Sequence, residues 1–160
     1  MNAKVEVECR LATEAERNDL LGLMRDDLAD RIDRIMAFLG ITWAQFEQLY
    51  KSRGEVRVIL REREVVGHCW IELRGRELHL HAIFVLPHLR GRGTGTATLR
   101  RLEAEFRDKA DVIELGVEAD NTEAKSLYLR DGFVVTKTLP NIGFEIMRKR
   151  LGNQPDGPGR

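Results

Sequence analysis

Between Val85 and Thr96 the chain reads Val-Leu-Pro-His-Leu-Arg-Gly-Arg-Gly-Thr-Gly-Thr, a set of residue types suited to holding an anion. Gly91, Gly93 and Gly95 let the backbone come close to a ligand and adopt conformations closed to other residues. The first turn of the helix that follows the glycine-rich segment Arg90 to Gly95 would present unused N–H groups and the positive end of its dipole to that ligand. Arg90 and Arg92 add positive charge that suits a phosphate. Two nucleotide signatures are excluded. No Lys follows Gly93 or Gly95, as a P-loop requires, and the run that starts at Gly91 meets Thr96 where a dinucleotide fingerprint needs a third glycine. Taken alone, a plain glycine-rich loop with solvated arginines reads equally well.

A second group of reactive side chains sits just upstream. In Glu77-Leu78-His79-Leu80-His81-Ala82-Ile83-Phe84-Val85, strand alternation puts Leu78, Leu80, Ala82 and Phe84 on one apolar face. Glu77, His79 and His81 share the other face with Ile83 and Val85. Two histidines on an otherwise apolar central strand point to a wet cleft, and an imidazole with pKa near ~6.5 suits proton removal at neutral pH. If Gly75-Arg76 is a two-residue hairpin loop, Glu72 falls opposite His79 and Trp70 opposite His81, and the carboxylate would orient His79 and raise its pKa. The plain alternative is a pair of partly exposed strand residues without chemistry. A zinc site with Cys69 is the weaker reading, since no third and fourth ligands stand at metal spacing, and no metal is expected.

Further on, Asn121 has the side chain of a helix cap. Tyr128 follows seven residues later, two helical turns on, so both can face one ligand. Read by itself, Tyr128 is better explained as a core tyrosine with its hydroxyl satisfied by backbone.

The elements that must position these groups are legible in outline. Val5, Val7 and Cys9 alternate with Glu6, Glu8 and Arg10 as a first strand with one wet face. Thr13 with Glu16 and Thr42 with Gln45 form capping boxes that open helices, and Gly40 stops the helix between them. The helical region 13–53 is long for a small domain. Strands follow at 56–60, 65–73 and 77–86, the last ended by Pro87. A helix carrying Ala97, Leu99, Leu102 and Phe106 leads out of the glycine turn. A strand at 112–117, a helix at 122–130 stopped by Gly132, and strands at 133–138 and 144–149 complete the pattern.

Composition narrows the class. The 160 residues carry 26 Lys and Arg against 26 Asp and Glu, so the basic excess of a nucleic-acid binder is missing. No apolar run marks a signal peptide or a membrane span, which leads us to expect neither nucleic acid nor membrane as partner and a cytoplasmic location. Cys9 and Cys69 read as free thiols.

Arg90-x-x-Gly93-x-Gly95 resembles the pyrophosphate-binding motif of the GNAT N-acetyltransferase superfamily, Gln/Arg-x-x-Gly-x-Gly/Ala. Ile83-Phe84-Val85-x-Pro87 before it looks like that family's splayed strand, and Asn121-x-x-Ala124-x-x-Leu127-Tyr128-x-x-x-Gly132-Phe133 resembles its second signature. The pieces stand in the family's order, covering about 65–133. The long region 13–53 departs from the pattern where acceptor-binding segments vary most. The resemblance implies an α+β (mixed α/β) fold, with a six- to seven-stranded, mostly antiparallel sheet and helices on both faces. Residues 1–150 would form one N-acetyltransferase domain, and the Gly- and Pro-rich 151–160 a disordered tail.

The resemblance also implies acetyl-CoA as cosubstrate. Its pyrophosphate would lie on the N–H groups of Arg90, Gly91, Arg92, Gly93, Thr94, Gly95 and Thr96. Phe84 and Val85 would meet the pantetheine arm by β-addition, and Asn121 would bond it as well. Tyr128 would protonate the departing thiolate, and His79 and His81 match a His-x-His that relays the amine's proton in arylalkylamine-acetylating members. The expected activity is acetyl transfer to a primary amine, on a small molecule or a protein. A non-catalytic acyl-CoA-binding regulator on the same fold is the alternative, and dimers are common in the family, so a homodimer is compatible with it.

Overall fold

Two capping boxes and one left-handed glycine set the helices of the first third of the chain. In the computed structural model, which describes residues 4–152, Glu16 N–H donates to Thr13 Oγ1 while Thr13 N–H donates to Glu16, and Thr42 and Gln45 repeat the exchange. They open α1 (Glu14–Asp27) and α3 (Trp43–Ser52); α2 (Ala29–Leu39) lies between and ends on Gly40 at φ 67°. The strands are β1 (Glu8–Leu11), β2 (Glu55–Arg61), β3 (Glu64–Arg74), β4 (Glu77–Val85), β5 (Val112–Glu118), β6 (Val134–Leu139) and β7 (Phe144–Arg150). Helices α4 (Thr94–Phe106) and α5 (Thr122–Arg130) complete the fold.

One seven-stranded sheet runs in the order β1-β2-β3-β4-β5-β7-β6, and every neighbouring pair is antiparallel except β4 with β5. It separates two apolar clusters. On one face α4 and α5 cover Ile59, Cys69, Leu78, Leu80, Ile113 and Met147, with Leu99 and Leu102 fully buried. On the other, α1, α2 and α3 bring Leu21, Met24, Ile32, Phe46 and Tyr50 against Val56, Trp70 and Phe84. Leu151 is buried in the first cluster and its N–H bonds Asp111 O at 2.8 Å, so the ordered chain runs past 150; the rest of the expected tail, 153–160, lies outside the described residues.

Two features of β4 differ from simple alternation. Ile71 pairs with Leu80 and Trp70 with Ala82, so His81 is the extra residue of a β-bulge and has no partner in register. Trp70 is therefore not opposite His81, although Glu72 does lie opposite His79 as the hairpin predicts. The bulge also reverses the faces beyond it. Leu78, Leu80 and Ile83 join the cluster under α4, whereas Ala82 and Phe84 turn to the cluster under α1–α3. The single apolar face of Leu78, Leu80, Ala82 and Phe84 does not form, because one inserted residue exchanges the two sides of a strand.

Candidate active site

Strand β4 pairs with β5 only from Glu77 to Leu80, against Val112 to Leu115. Beyond Leu80 the strands part, leaving an edge of β4 without a neighbour. Leu86 N–H bonds Val66 O at 2.9 Å, and the ladder keeps one register from there to Trp70. Antiparallel alternation thus turns the N–H of Phe84 toward β3 and those of Ile83 and Val85 toward the open edge. Phe84 contributes its buried ring to the cleft, and Val85 and Ile83 the free main-chain donors.

At the end of that edge the chain turns through Gly91 (φ 76°) and Gly93 (φ 81°) into α4. The left-handed Gly93 is the N-cap, with no side-chain cap, and no acidic residue stands in the first turn. Ala97 N–H to Gly93 O, 3.0 Å, closes that turn, so the N–H groups of Thr94, Gly95 and Thr96 have no partner inside the helix. Arg61 binds Arg92 O at 3.0 Å and steadies the loop from behind. The side chain of Arg90 is committed elsewhere. Its guanidinium bonds Val85 O at 2.8 Å and Asp27 at 2.7 Å, which ties the turn to α1, so Arg90 holds the loop in place instead of offering free charge.

The bulge aims His81 into a cavity of about 340 Å³ walled by α1–α3, β3, β4 and the start of the β4–β5 gap. Tyr128, Gly116, Trp70, Arg53 and Arg74 are among the residues that line it. His81 Nε2 lies 2.9 Å from Glu72, and its ring is 4.5 Å from that of Trp70. With a carboxylate on Nε2, the proton of the neutral ring sits there and Nδ1 keeps its lone pair. Burial pulls the His81 pKa below the ordinary value, partly offset by Glu72, so the ring is neutral at pH 7. The bond from Arg74, 2.8 Å, and then that from His81 hold Glu72 ionised, with a pKa of about 2. Tyr128 is partly buried, its ring 5.7 Å from Phe133, and burial raises its pKa, so the phenol keeps its proton.

His79 stands outside the cavity wall, its ring 6.4 Å from His81. Its carboxylate neighbours are Glu114, 3.3 Å, and Glu77, 3.4 Å; Glu72, expected there, reaches along the strand to the bulged His81 instead. Asn121 caps α5, accepting from Ala124 N–H at 3.2 Å. Cys69 is buried in the cluster on the opposite face, away from the histidines, and among the described residues no group of three His, Cys, Asp or Glu is placed to hold a metal ion. No helix among them is long and apolar enough to cross a membrane.

The site thus gathers the glycine turn, the open edge of β4, His81 and Tyr128. It also includes residues that periodicity does not reveal. Arg31, Arg53 and Arg74 reach one cavity from three separate elements, and Asp27 acts through Arg90, 63 residues away.

The sequence profile of the acetyltransferase (GNAT) family matches residues 20–133. The L-amino acid N-acyltransferase MnaT of Escherichia coli (strain K12) is 30% identical over 132 residues, 79% of this chain and 72% of that protein. Among solved structures, Ard1 from Thermoplasma volcanium superposes with a TM-score of 0.71 at 21% identity, covering 92% of this chain and 99% of that one. A GNAT family acetyltransferase from Elizabethkingia anophelis with acetyl-CoA bound gives 0.68 at 16% identity, covering 92% and 100%.

Proposed function

The chain belongs to the acetyltransferase (GNAT) family, and from that premise we propose that it transfers the acetyl group of acetyl-CoA to a primary amine bound in the cavity beside His81. The carrying observation is that the uncapped glycine turn, the open edge of β4, and one cavity lined by both His81 and Tyr128 are contiguous. The turn fits a pyrophosphate: its donors are unused, its first turn carries no acid, and left-handed glycines bring the backbone close.

Acetyl-CoA is a substrate here, and its thioester supplies an already activated acyl carbon. The chain's part is to orient that group and manage two protons. Ile83 and Val85 N–H groups face the edge along which the pantetheine arm would lie, where they can stabilise negative charge developing on the carbonyl oxygen. His81 Nδ1 takes a proton from the incoming ammonium, and the neutral amine forms the C–N bond. As the C–S bond breaks, Tyr128 gives its proton to the departing sulfur, and the second proton that the new amide nitrogen must shed passes through water to restore the phenol. His79, with Glu77 and Glu114, stands beside His81, their rings 6.4 Å apart, as a second acceptor for that proton.

Thiol release from acetyl-CoA across a panel of amino acids, polyamines, arylalkylamines and peptide N-termini tests the reading. Turnover with at least one class is expected. Acetyl-CoA binding with no turnover on any amine would point to the regulator instead.

A further inference from the structure

Glu72 and Arg74 stand two residues apart on β3, on the face that strand alternation also gives Trp70, and the bulge of β4 sets His81 beside them. Two donors meet there at one atom. Arg74 Nη2 bonds Glu72 Oε2 at 2.8 Å, and His81 Nε2 lies 2.9 Å from the same oxygen. The guanidinium and the imidazole are thus within two hydrogen-bond lengths of each other, with one carboxylate between them. On β4 the ring of His79 lies 6.4 Å from that of His81, beside Glu77 and Glu114, which Arg148 of β7 also pairs with. From α2, α3 and α5, Arg31, Arg53 and Tyr128 line the same cavity, Arg31 in a pair with Glu118. Among the described residues no aspartate or glutamate lines it, so Glu72 is the one carboxylate in bonding reach of His81.

A carboxylate on an imidazole has two effects. It fixes the orientation and tautomer of the ring, and it favours the imidazolium, because a nearby anion stabilises the charged form. Only the first effect helps a base that must wait neutral for an incoming ammonium. A guanidinium on the same oxygen separates the two. It leaves that oxygen able to accept the Nε2 proton, offsets the negative charge, and sets a like charge against any imidazolium. Arginine suits the place because it stays charged at every working pH, so the offset does not itself titrate. Resting on the acetyltransferase reading above, we infer that Arg74 is a positioning residue of the reaction, which acts on His81 through the Glu72 oxygen they share and lets the carboxylate orient the ring without charging it. Burial of His81 works in the same direction, and the charge of Arg74 adds to it.

The test is an NMR titration of the histidine rings in the ligand-free protein, with His81 identified by the signal that His81→Gln removes. Arg74 is exposed at the end of β3, so its replacement opens no cavity. In wild type the neutral ring should carry its proton on Nε2. Arg74→Met should raise the ratio of protonated to neutral His81 at a fixed pH by about 3- to 10-fold, the factor for one unit charge at that distance in largely aqueous surroundings. Arg74→Lys keeps the charge and should restore most of the wild-type ratio. Glu72→Gln, which keeps an oxygen for both donors and removes the anion, should move the ratio the other way. A ratio unchanged or lowered in Arg74→Met, an Arg74→Lys protein that titrates like Arg74→Met, or a ratio raised by Glu72→Gln would overturn the inference. The titration uses no acceptor, so such a result leaves the acetyltransferase reading standing. The expected ratios with no thiol release on any amine would instead remove that reading, and with it the part of Arg74 in catalysis.

Discussion

Gly95 is the second residue of α4, and replacing it with Asp should separate what the glycine turn does for the fold from what it does for a ligand. A Cβ there would meet only Leu127 Cδ1, at 3.6 Å, an ordinary contact. The first turn has three partnerless N–H groups and no acid, so a carboxylate placed there is favoured by the helix dipole by about 0.3–1 kcal/mol, with a few tenths more from removing a helical glycine. Without ligand, Gly95→Asp should melt no lower than wild type and up to about 5 °C higher, at roughly 2–4 °C per kcal/mol. Acetyl-CoA at 100 times its Kd should stabilise wild type by about 2.7 kcal/mol, roughly 5–10 °C. In the variant a carboxylate would share the turn with a diphosphate. Two like charges at 4 Å repel by about 4 kcal/mol at the effective dielectric of a protein surface, near a thousandfold in affinity, so the shift at the same concentration should vanish. Gly95→Asn, with the same shape and no charge, should keep part of it. Thermal melts of the three proteins with and without acetyl-CoA decide the matter. An undiminished shift in Gly95→Asp would show that the pyrophosphate does not use this turn, and a lower melting point without ligand would show that the turn's N–H groups are not idle.

Tyr128→Phe should lower kcat by about 100-fold or more while the acetyl-CoA melting shift persists, because the ring stays and only the proton donor goes; unchanged turnover would assign the proton to another group. The double change His79→Gln, His81→Gln should move the rising limb of the kcat/KM–pH profile to higher pH, and superimposed profiles would sink the relay. His68 is fully buried, and burial lowers its pKa to about 4. Its folded-state value lies below the unfolded ~6.5, so its contribution to stability is complete above that pH and is lost as pH falls from 6.5 through 4, by up to about 3 kcal/mol. Urea unfolding across that window should show the loss, and His68→Gln should flatten it.

The helices and strands were legible because their signals are local. The two capping boxes, Gly40, the Gly75-Arg76 loop and Pro87 each act within a few residues, and the strands and helices stand where those signals put them. The glycine turn was legible for the same reason. The bulge at His81 was not, because His-Leu-His-Ala alternates perfectly on paper; the extra residue exists only relative to β3. The same bulge moved Glu72 from His79 to His81 and turned Phe84 to the other face. Arg90 looked like a phosphate ligand because its charge is visible in sequence and Asp27, 63 residues away, is not visibly its partner. Arg53 carries no signal at all: a single arginine after a helix gains meaning only when the end of α3 brings it to the cavity wall.

The sheet, with one cluster on each face, also divides the molecule's tolerance of change. Helix α4 and its glycine turn rest on one cluster, and the cavity wall formed by α1–α3 rests on the other, with seven strands between them. Substitutions at Leu28, Ile35 or Leu49 can reshape the room for one acceptor or another without reaching Leu99 or Leu102. Distant sites contribute to stability nearly independently, so the cavity can be reshaped on one face at little cost to the packing on the other. His81 and Tyr128 line the cavity from the bulge of β4 and from α5, so a change at either bears on both sides of that partition.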